Sequence, residues 1–146
     1  MRTLLLAASL ALLFMPISDA DLKKALAEPD LEKRSKLSLD NASAAYQAAR
    51  DAYRKGDMQQ AQAYIDEVEQ SVDLAYQSLN DTGKNPRKSP RWFKSAELAT
   101  RDLSRRIAGF QEEMSYTDRP MLDKLKARVQ QVHDDLLLGL MEGRKK

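Results

Sequence analysis

Apolar residues recur along most of the chain at alternating steps of three and four residues, the spacing of one face of an α-helix. Residues 57–80 show this spacing most regularly, because the alternation runs through them without a break. Their seam is Met58, Ala61, Ile65, Val68, Val72, Ala75 and Leu79. No stretch alternates apolar and polar residues over the length of a strand. The pattern therefore predicts an all-α protein.

Four such seams predict four long helices of similar length. They are placed at about 30–55, 57–80, 90–114 and 120–141. The connections between them are short, and short connections favour antiparallel neighbours. We therefore expect an antiparallel up-down-up-down four-helix bundle, preceded by a short turn of helix within residues 21–29.

The connections carry start and stop signals for helices. Gly56 is expected to end the first helix in a left-handed conformation. Pro90 and Pro120 suit the first turns of the third and fourth helices, where a missing N–H costs nothing. The predicted N-caps are Asp30, Asp57, Ser89 and either Thr117 or Asp118.

The first 20 residues differ from the rest of the chain. A basic start is followed by an apolar run of about a dozen residues and then by small residues. Ser18 and Ala20 suit the −3 and −1 positions of a cut after Ala20, so we expect a cleaved secretory signal peptide. The alternative is an uncleaved anchor, although the run is shorter than the roughly 20 residues of a membrane span. Residues 21–146 would then form one helical-bundle domain of an exported protein, periplasmic or secreted.

Composition says how the domain can be stabilised but not what it binds. The chain has no cysteine, so an exported domain of this size has to be stabilised by packing rather than by disulfides. Its formal net charge is +2, and a nearly neutral balance selects no class of partner. Only the distribution of the charges is informative.

The junction of the first two helices, AYRKGDMQQAQAYI at residues 52–65, resembles the middle of a tetratricopeptide repeat. The positions that carry the resemblance are Ala49, Tyr53, Gly56, Asp57, Ala61 and Tyr64. It covers one hairpin, about residues 38–80, whereas a solenoid needs about three repeats. The resemblance implies a tight antiparallel hairpin and carries over no binding site. The rest of the chain resembles exported helical proteins that are uncharacterised.

The chain offers little that could support catalysis or hold a cofactor. Its one histidine, His133, precedes Asp134 and Asp135, but successive helical residues point about 100° apart and do not converge on a metal ion. Haem held between His133 and a methionine is disfavoured because the first helix has no methionine, and covalent haem would need cysteines. No serine-elbow, phosphate-loop or zinc motif is present. We predict no catalytic residue, no metal site and no cofactor.

Four tyrosines on the first two predicted helices could form a surface: Tyr46, Tyr53, Tyr64 and Tyr76. The favoured interpretation is that they pack at the edge of the core with their hydroxyls reaching water. The alternative is a stacking surface for a ligand.

The sharpest local feature is GKNPRKSPRWFK at residues 83–94, which has five cations and no acidic residue. In an up-down bundle this loop lies at the same end as both chain termini, where Lys23 and Lys24 also belong. The candidate anion- or partner-binding residues are Lys84, Arg87, Lys88, Arg91, Trp92, Lys94, Arg144, Lys145 and Lys146. Alternatively, the stretch only connects two helices, its charges are solvated, and Trp92 and Phe93 close the end of the core.

The function expected from these observations is non-enzymatic protein–protein interaction in the cell envelope or outside the cell. A helix face or the hairpin end would provide the contact. The alternative is a binder of anionic lipid or polysaccharide through the basic end. A cofactor carrier or an enzyme is the third alternative. Nucleic acid is not an expected partner because the protein is expected to be exported.

Overall fold

The computed structural model describes residues 19–143, with side chains from residue 22 onward. Residues 1–18 of the predicted signal peptide and the tail residues Arg144, Lys145 and Lys146 lie outside the described residues. Within them the chain is all-helical. The helices are α1 (Asp19–Ala27), α2 (Leu31–Arg54), α3 (Met58–Asp81), α4 (Arg91–Glu113) and α5 (Asp123–Glu142), with a 3₁₀ turn at Arg119–Leu122.

The predicted all-α class and the four long helices are confirmed, and the short N-terminal helix is present as α1. The bounds of α2, α3 and α4 differ from the predicted ones by one residue at each end. The fourth helix differs more, because Pro120 lies in the 3₁₀ turn and the α-helix begins only at Asp123. No helix in the described part is both long and apolar enough to cross a membrane.

The predicted caps of the first hairpin are confirmed. The carboxylate of Asp30 accepts hydrogen bonds from the N–H groups of Glu32 and Lys33, at 3.0 and 3.1 Å. Gly56 has φ +78°, and its N–H donates to the carbonyl of Tyr53. Asp57 then accepts from Gln60 N–H at 3.0 Å. The turn between α2 and α3 is therefore fixed by local chemistry on both sides of the glycine.

The predicted caps of the later helices are wrong. Pro90, not Ser89, is the N-cap of α4, and no side chain caps that helix. The carbonyl of Pro90 accepts from Lys94 N–H at 2.8 Å, so the helix starts one residue later than predicted. Asp118 is the N-cap residue of the 3₁₀ turn rather than of α5, which has Leu122 there, and its side chain makes no capping hydrogen bond. Its carboxylate accepts from the hydroxyls of Tyr53 and Ser115 instead.

The four seams meet in one core. The seam predicted for residues 57–80 is buried from Ala61 to Leu79, and Met58 at its start is half-buried. The seam of α2 is built of alanine and serine, which lets α3 approach closely. α2 packs against α3 and α4, and α5 packs against the same two helices. Phe93 at the start of α4 is 3% exposed and belongs to the core, as the sequence suggested.

Candidate binding surface

The loop between α3 and α4 has an ordered backbone. The side chain of Asn85 accepts from Arg87 N–H at 2.9 Å, and its backbone carbonyl accepts from Ser89 N–H at 2.9 Å. Gly83, at φ +70°, begins the loop in a conformation that favours glycine. Asn85 satisfies backbone N–H groups of the loop, and Gly83 supplies the positive φ, as these residue types do in turns generally.

Two neighbouring elements hold the loop in place. Lys84 Nζ lies 2.5 Å from the Glu32 carboxylate at the start of α2. Pro86 is buried against Gly139 of α5, where an added Cβ would lie 3.2 Å from the proline ring. Gly143, just after α5, approaches Asn85 so closely that an added Cβ would lie 3.1 Å from the side-chain oxygen. Glycine at both positions allows the loop to sit directly on the end of α5.

This loop and its surroundings define the basic end: Arg87, Lys88, Arg91 and Lys94, all exposed. None of the four forms an ion pair with another described residue. The guanidinium of Arg91 lies over the ring of half-buried Trp92, 5.2 Å from its centroid. Of the other predicted site residues, Lys84 is neutralised by Glu32. Gly143, the last described residue, lies beside this end, since an added Cβ there would lie 3.5 Å from the Cβ of Arg87.

Two shallow hollows flank the loop. One, of about 320 Å³, lies between Glu32 and Lys84 on one side and Arg91 and Trp92 on the other. The second, of about 380 Å³, is lined partly by apolar side chains of the loop, α4 and α5, with carboxylates at its rim. Its lining includes Tyr76, Pro86, Phe93, Asp135, Leu136, Leu138 and Glu142. The loop thus has one basic, aromatic side and one mixed apolar and acidic side.

A polar cluster in the contact between α4 and α5 was missed by the sequence analysis. Glu97 is 3% exposed, and its Oε1 accepts from His133 Nε2 at 2.9 Å and from Arg101 Nε at 3.0 Å. Burial raises the pKa of the Glu97 carboxyl, but the hydrogen bonds from His133 and Arg101 outweigh it and bring the pKa below its ordinary value. The available signal was the i,i+4 spacing of Glu97 and Arg101 beside the α4 seam.

The tyrosines of α2 belong to the packing rather than to an open surface. Tyr46 is buried, and its hydroxyl donates to the carbonyl of Arg106 at 2.8 Å instead of reaching water, which corrects the expectation. Tyr46 and Tyr53 both meet Phe110 edge-on, with ring centroids 5.9 and 5.7 Å apart. Burial raises the pKa of the Tyr46 phenol. These rings stabilise the contact between α2 and α4.

Arginines of α2 reinforce the same contact from outside. Arg50 and Arg54 both pair with Glu113 at the end of α4, Arg54 at 3.2 Å. The hydrogen bond from Arg50 lowers the pKa of the Glu113 carboxyl. Such pairs on an exposed edge add little free energy individually. Among the described residues no group of three or more potential ligands could hold a metal ion.

Comparison with protein-family models and with curated proteins finds no match for this chain.

Proposed function

We propose that this chain is a non-enzymatic exported protein, periplasmic or secreted, that recognises an acidic surface of another envelope protein through its basic end. The observation that carries the proposal is the loop's rigidity. Arg87, Lys88, Arg91 and Lys94 project from a segment held by Lys84–Glu32 at the start of α2 and by Gly139 and Gly143 on the α5 side. A cationic surface whose backbone is already ordered loses less conformational entropy on binding.

The chemistry of the basic end favours carboxylates on a folded partner. Arg87 and Arg91 can each offer a planar fork of donors that matches a carboxylate in a bidentate pair. Because these cations have no carboxylate partner among the described residues, a ligand would not need to displace one. Surface charges of this kind raise the association rate and set the choice of partner.

The organisation that presents the loop is also part of the proposal. We infer an up-down-up-down order of the four long helices. It is supported by contacts in which residue numbers fall on one side as they rise on the other, as from Glu32–Lys84 to Asn41–Ser71 between α2 and the α3 side of the hairpin. In the contact of α3 with α5 the numbers rise together, from Glu69–Lys124 to Asp73–Arg128. In that order the α3–α4 loop and both termini share one end of the bundle.

The tetratricopeptide-like hairpin and export remain proposals with separate support. The left-handed Gly56 followed by the capping Asp57 suits the tight hairpin that the resemblance implies. Export is supported by the signal-like N-terminal sequence. Mass spectrometry of the N-terminus in the native envelope tests it, with residue 21 as the expected first residue.

Photocrosslinking tests the proposed partner. A photoreactive amino acid replaces Lys88 in the full chain, in the native envelope, and adducts are separated by size. A protein adduct that is lost when Arg87 and Arg91 become glutamine supports the proposal. In the matched control, glutamine replaces three exposed cations away from the loop, Lys55, Lys124 and Lys126. This control should keep the adduct. Absence of any protein adduct, or an adduct indifferent to the arginines, contradicts it.

Binding of anionic lipid or polysaccharide by the same end is the second candidate function. Half-buried Trp92 beside Arg91 favours it, since an amphipathic ring next to a cation suits the boundary between water and an apolar phase. Co-sedimentation with anionic vesicles, and retention on dextran sulfate, test its two forms. Binding should fall with added salt and with the change of Arg87, Lys88 and Arg91 to glutamine. Binding that is the same with added salt and in the glutamine variant would exclude this candidate function.

A further inference from the structure

The exposed side of α5 becomes apolar near the end of the helix. Its earlier exposed positions carry mainly polar side chains, such as Lys124 and Lys126. The last two turns instead expose three large apolar side chains, which we call the α5 ridge: Leu137, Leu138 and Met141, which are 37%, 51% and 67% exposed. Six large hydrophobic side chains are exposed in the described part of the chain, so this short stretch holds half of them. Apolar side chains grouped in this way, unlike scattered ones, mark an interaction site.

The ridge continues into the hollow of about 380 Å³ beside the loop, which we call the α5 groove. Leu138 belongs to both, and Pro86, Phe93 and Leu136 add apolar lining to the groove. Ridge and groove therefore form one continuous apolar surface, which is larger than the three exposed side chains alone.

Carboxylates border this surface. From residue 134 to residue 143 the described chain carries Asp134, Asp135 and Glu142, and neither lysine nor arginine. Asp135 is exposed at the rim of the groove and forms no ion pair with another described residue, and the hydroxyl of Tyr76 donates to it at 3.4 Å. An apolar surface with an acidic border favours an occupant that combines apolar side chains with cations, because charge complementarity decides which partners are accepted.

The chain itself carries a surface of that chemistry on the other side of the same loop. The basic end has four exposed cations without an ion pair in the described chain, together with half-buried Trp92. Arg87 joins the two surfaces, since it follows Pro86 of the groove and lies beside Gly143, which also lines the groove. The acidic and apolar surface and the basic surface therefore adjoin at the α3–α4 loop.

Two complementary surfaces side by side suit a two-fold symmetric dimer. A half-turn about an axis between them places each surface against its complement on the second copy, so that every contact forms twice. Surfaces on opposite sides of the molecule would instead form open chains. Because both surfaces of each copy take part, the contact extends beyond the ridge toward the roughly 800 Å² per partner that a stable interface buries.

We propose that the α5 ridge, the α5 groove and the basic end together form the interface of a symmetric homodimer. The ridge and the groove of one copy receive the basic end of the other. Trp92 and the methylene stems of the cations cover the apolar surface, and the charged heads reach Asp135 at its rim. This inference goes beyond the proposed function. Because the dimer covers the basic end, self-association competes with binding of an envelope partner.

Sedimentation velocity over a concentration series tests the dimer. The chain is purified in the form that its native envelope contains, and it should shift from monomer to dimer as its concentration rises. Changing Leu138 and Met141 to glutamine should weaken self-association at least about tenfold. The control with Leu26→Gln and Leu98→Gln, at exposed apolar positions on α1 and α4, should leave it unchanged. A chain that stays monomeric would overturn the proposal and leave the groove to a basic segment of another protein. Equal losses in the two variants would overturn it too.

Charge reversal identifies the contacting surfaces. Asp135→Lys, and separately Arg87→Glu with Lys88→Glu, should each weaken the dimer at least about tenfold, because like charges then face each other twice. In a mixed dimer of these two variants both contacts again join opposite charges. A dye-labelled chain with Arg87→Glu and Lys88→Glu should therefore associate with Asp135→Lys at least about tenfold more tightly than with Glu112→Lys, the matched reversal at an exposed carboxylate of α4. Equal association with both would overturn the assignment of these surfaces.

The mass of the photocrosslinked adduct at Lys88 separates the dimer from the proposed function. An adduct with twice the mass of the chain contains a second copy, whereas an envelope partner gives a different mass. If the purified chain dimerises and the native envelope yields no other adduct, the dimer stands and the proposed function fails. If the purified chain stays monomeric and the envelope yields an adduct of different mass, the dimer fails and the proposed function stands.

Discussion

The hydroxyl of Tyr53 on α2 donates to the carboxylate of Asp118, 3.0 Å away in the connection between α4 and α5. The same oxygen accepts from the backbone N–H of Ser115 at 2.9 Å, and the Ser115 hydroxyl donates to Asp118 at 2.6 Å. Tyr53, in the hairpin of α2 and α3, therefore organises the connection between α4 and α5. This network also explains why the Asp118 side chain makes no capping hydrogen bond at the 3₁₀ turn.

Tyr53→Phe tests that network. The substitution keeps the ring against Phe110 but removes a donor to Asp118 and an acceptor for Ser115 N–H. We expect a loss of about 1–2 kcal/mol in the free energy of unfolding, the usual effect of leaving partly buried partners unsatisfied. Urea unfolding measures it. Tyr64→Phe is the control, because the Tyr64 hydroxyl has no hydrogen bond within residues 22–143, and it should change stability by less than about 0.5 kcal/mol.

Phe110 is the largest fully buried side chain among the described residues, and it joins α4 to both tyrosines of α2. Phe110→Ala should lower the free energy of unfolding by about 3–5 kcal/mol, through lost burial and the cavity left behind. Denaturant unfolding with Leu98→Ala as the exposed control checks it, and the control should stay within about 0.5 kcal/mol. Similar effects of the two variants would mean that the Phe110 site collapses around the smaller side chain.

The helices and their buried faces could be predicted from the sequence because both depend on local spacing. The seam of α3 from Ala61 to Leu79 is buried as expected, and the turn at Gly56 follows from rules that involve only adjacent residues. The prediction of Ser89 as the N-cap of α4 was wrong although it also used local rules. A serine before a proline suits an N-cap, but Pro90 takes that position and the chain between Asn85 and Ser89 forms its own turn.

The polar contacts between helices could not be predicted, because they depend on the rotation of each helix about its axis. Glu97 is one such case, since only the packing of α4 on α5 brings His133 to it. Asn41 is another: it is buried and donates to Ser71 at 2.9 Å, although both look like ordinary polar positions in the sequence. For the basic end, the sequence supplied the cations, and the structure adds the contacts with Glu32, Gly139 and Gly143.

Two glycines should respond in opposite directions to the same substitution. Gly109 lies in α4 with open space around its Cα, so Gly109→Ala should raise the free energy of unfolding by about 0.5–1 kcal/mol. Gly56 also has open space but a φ of +78°, where a side chain costs roughly 1–2 kcal/mol, so Gly56→Ala should lower it by that amount. Thermal and urea unfolding of the two variants provide the comparison. The same sign for both would contradict the left-handed turn.

The buried carboxylate of Glu97 should make stability depend on pH in the acidic range. Its pKa is lower in the folded chain than in the unfolded one, so the folded state binds fewer protons there. The stability that Glu97 contributes is therefore present above the unfolded value, about 4.3, and is lost as the pH falls through the folded value. Glu97→Gln should be less stable than the natural chain at pH 7, and the difference should shrink between about pH 5 and pH 3. Urea unfolding at several pH values measures it, and Glu112→Gln, an exposed carboxylate on the same helix, corrects for the change in net charge. A difference that stays constant with pH would mean that Glu97 contributes through packing alone and that His133 and Arg101 do not stabilise its charge.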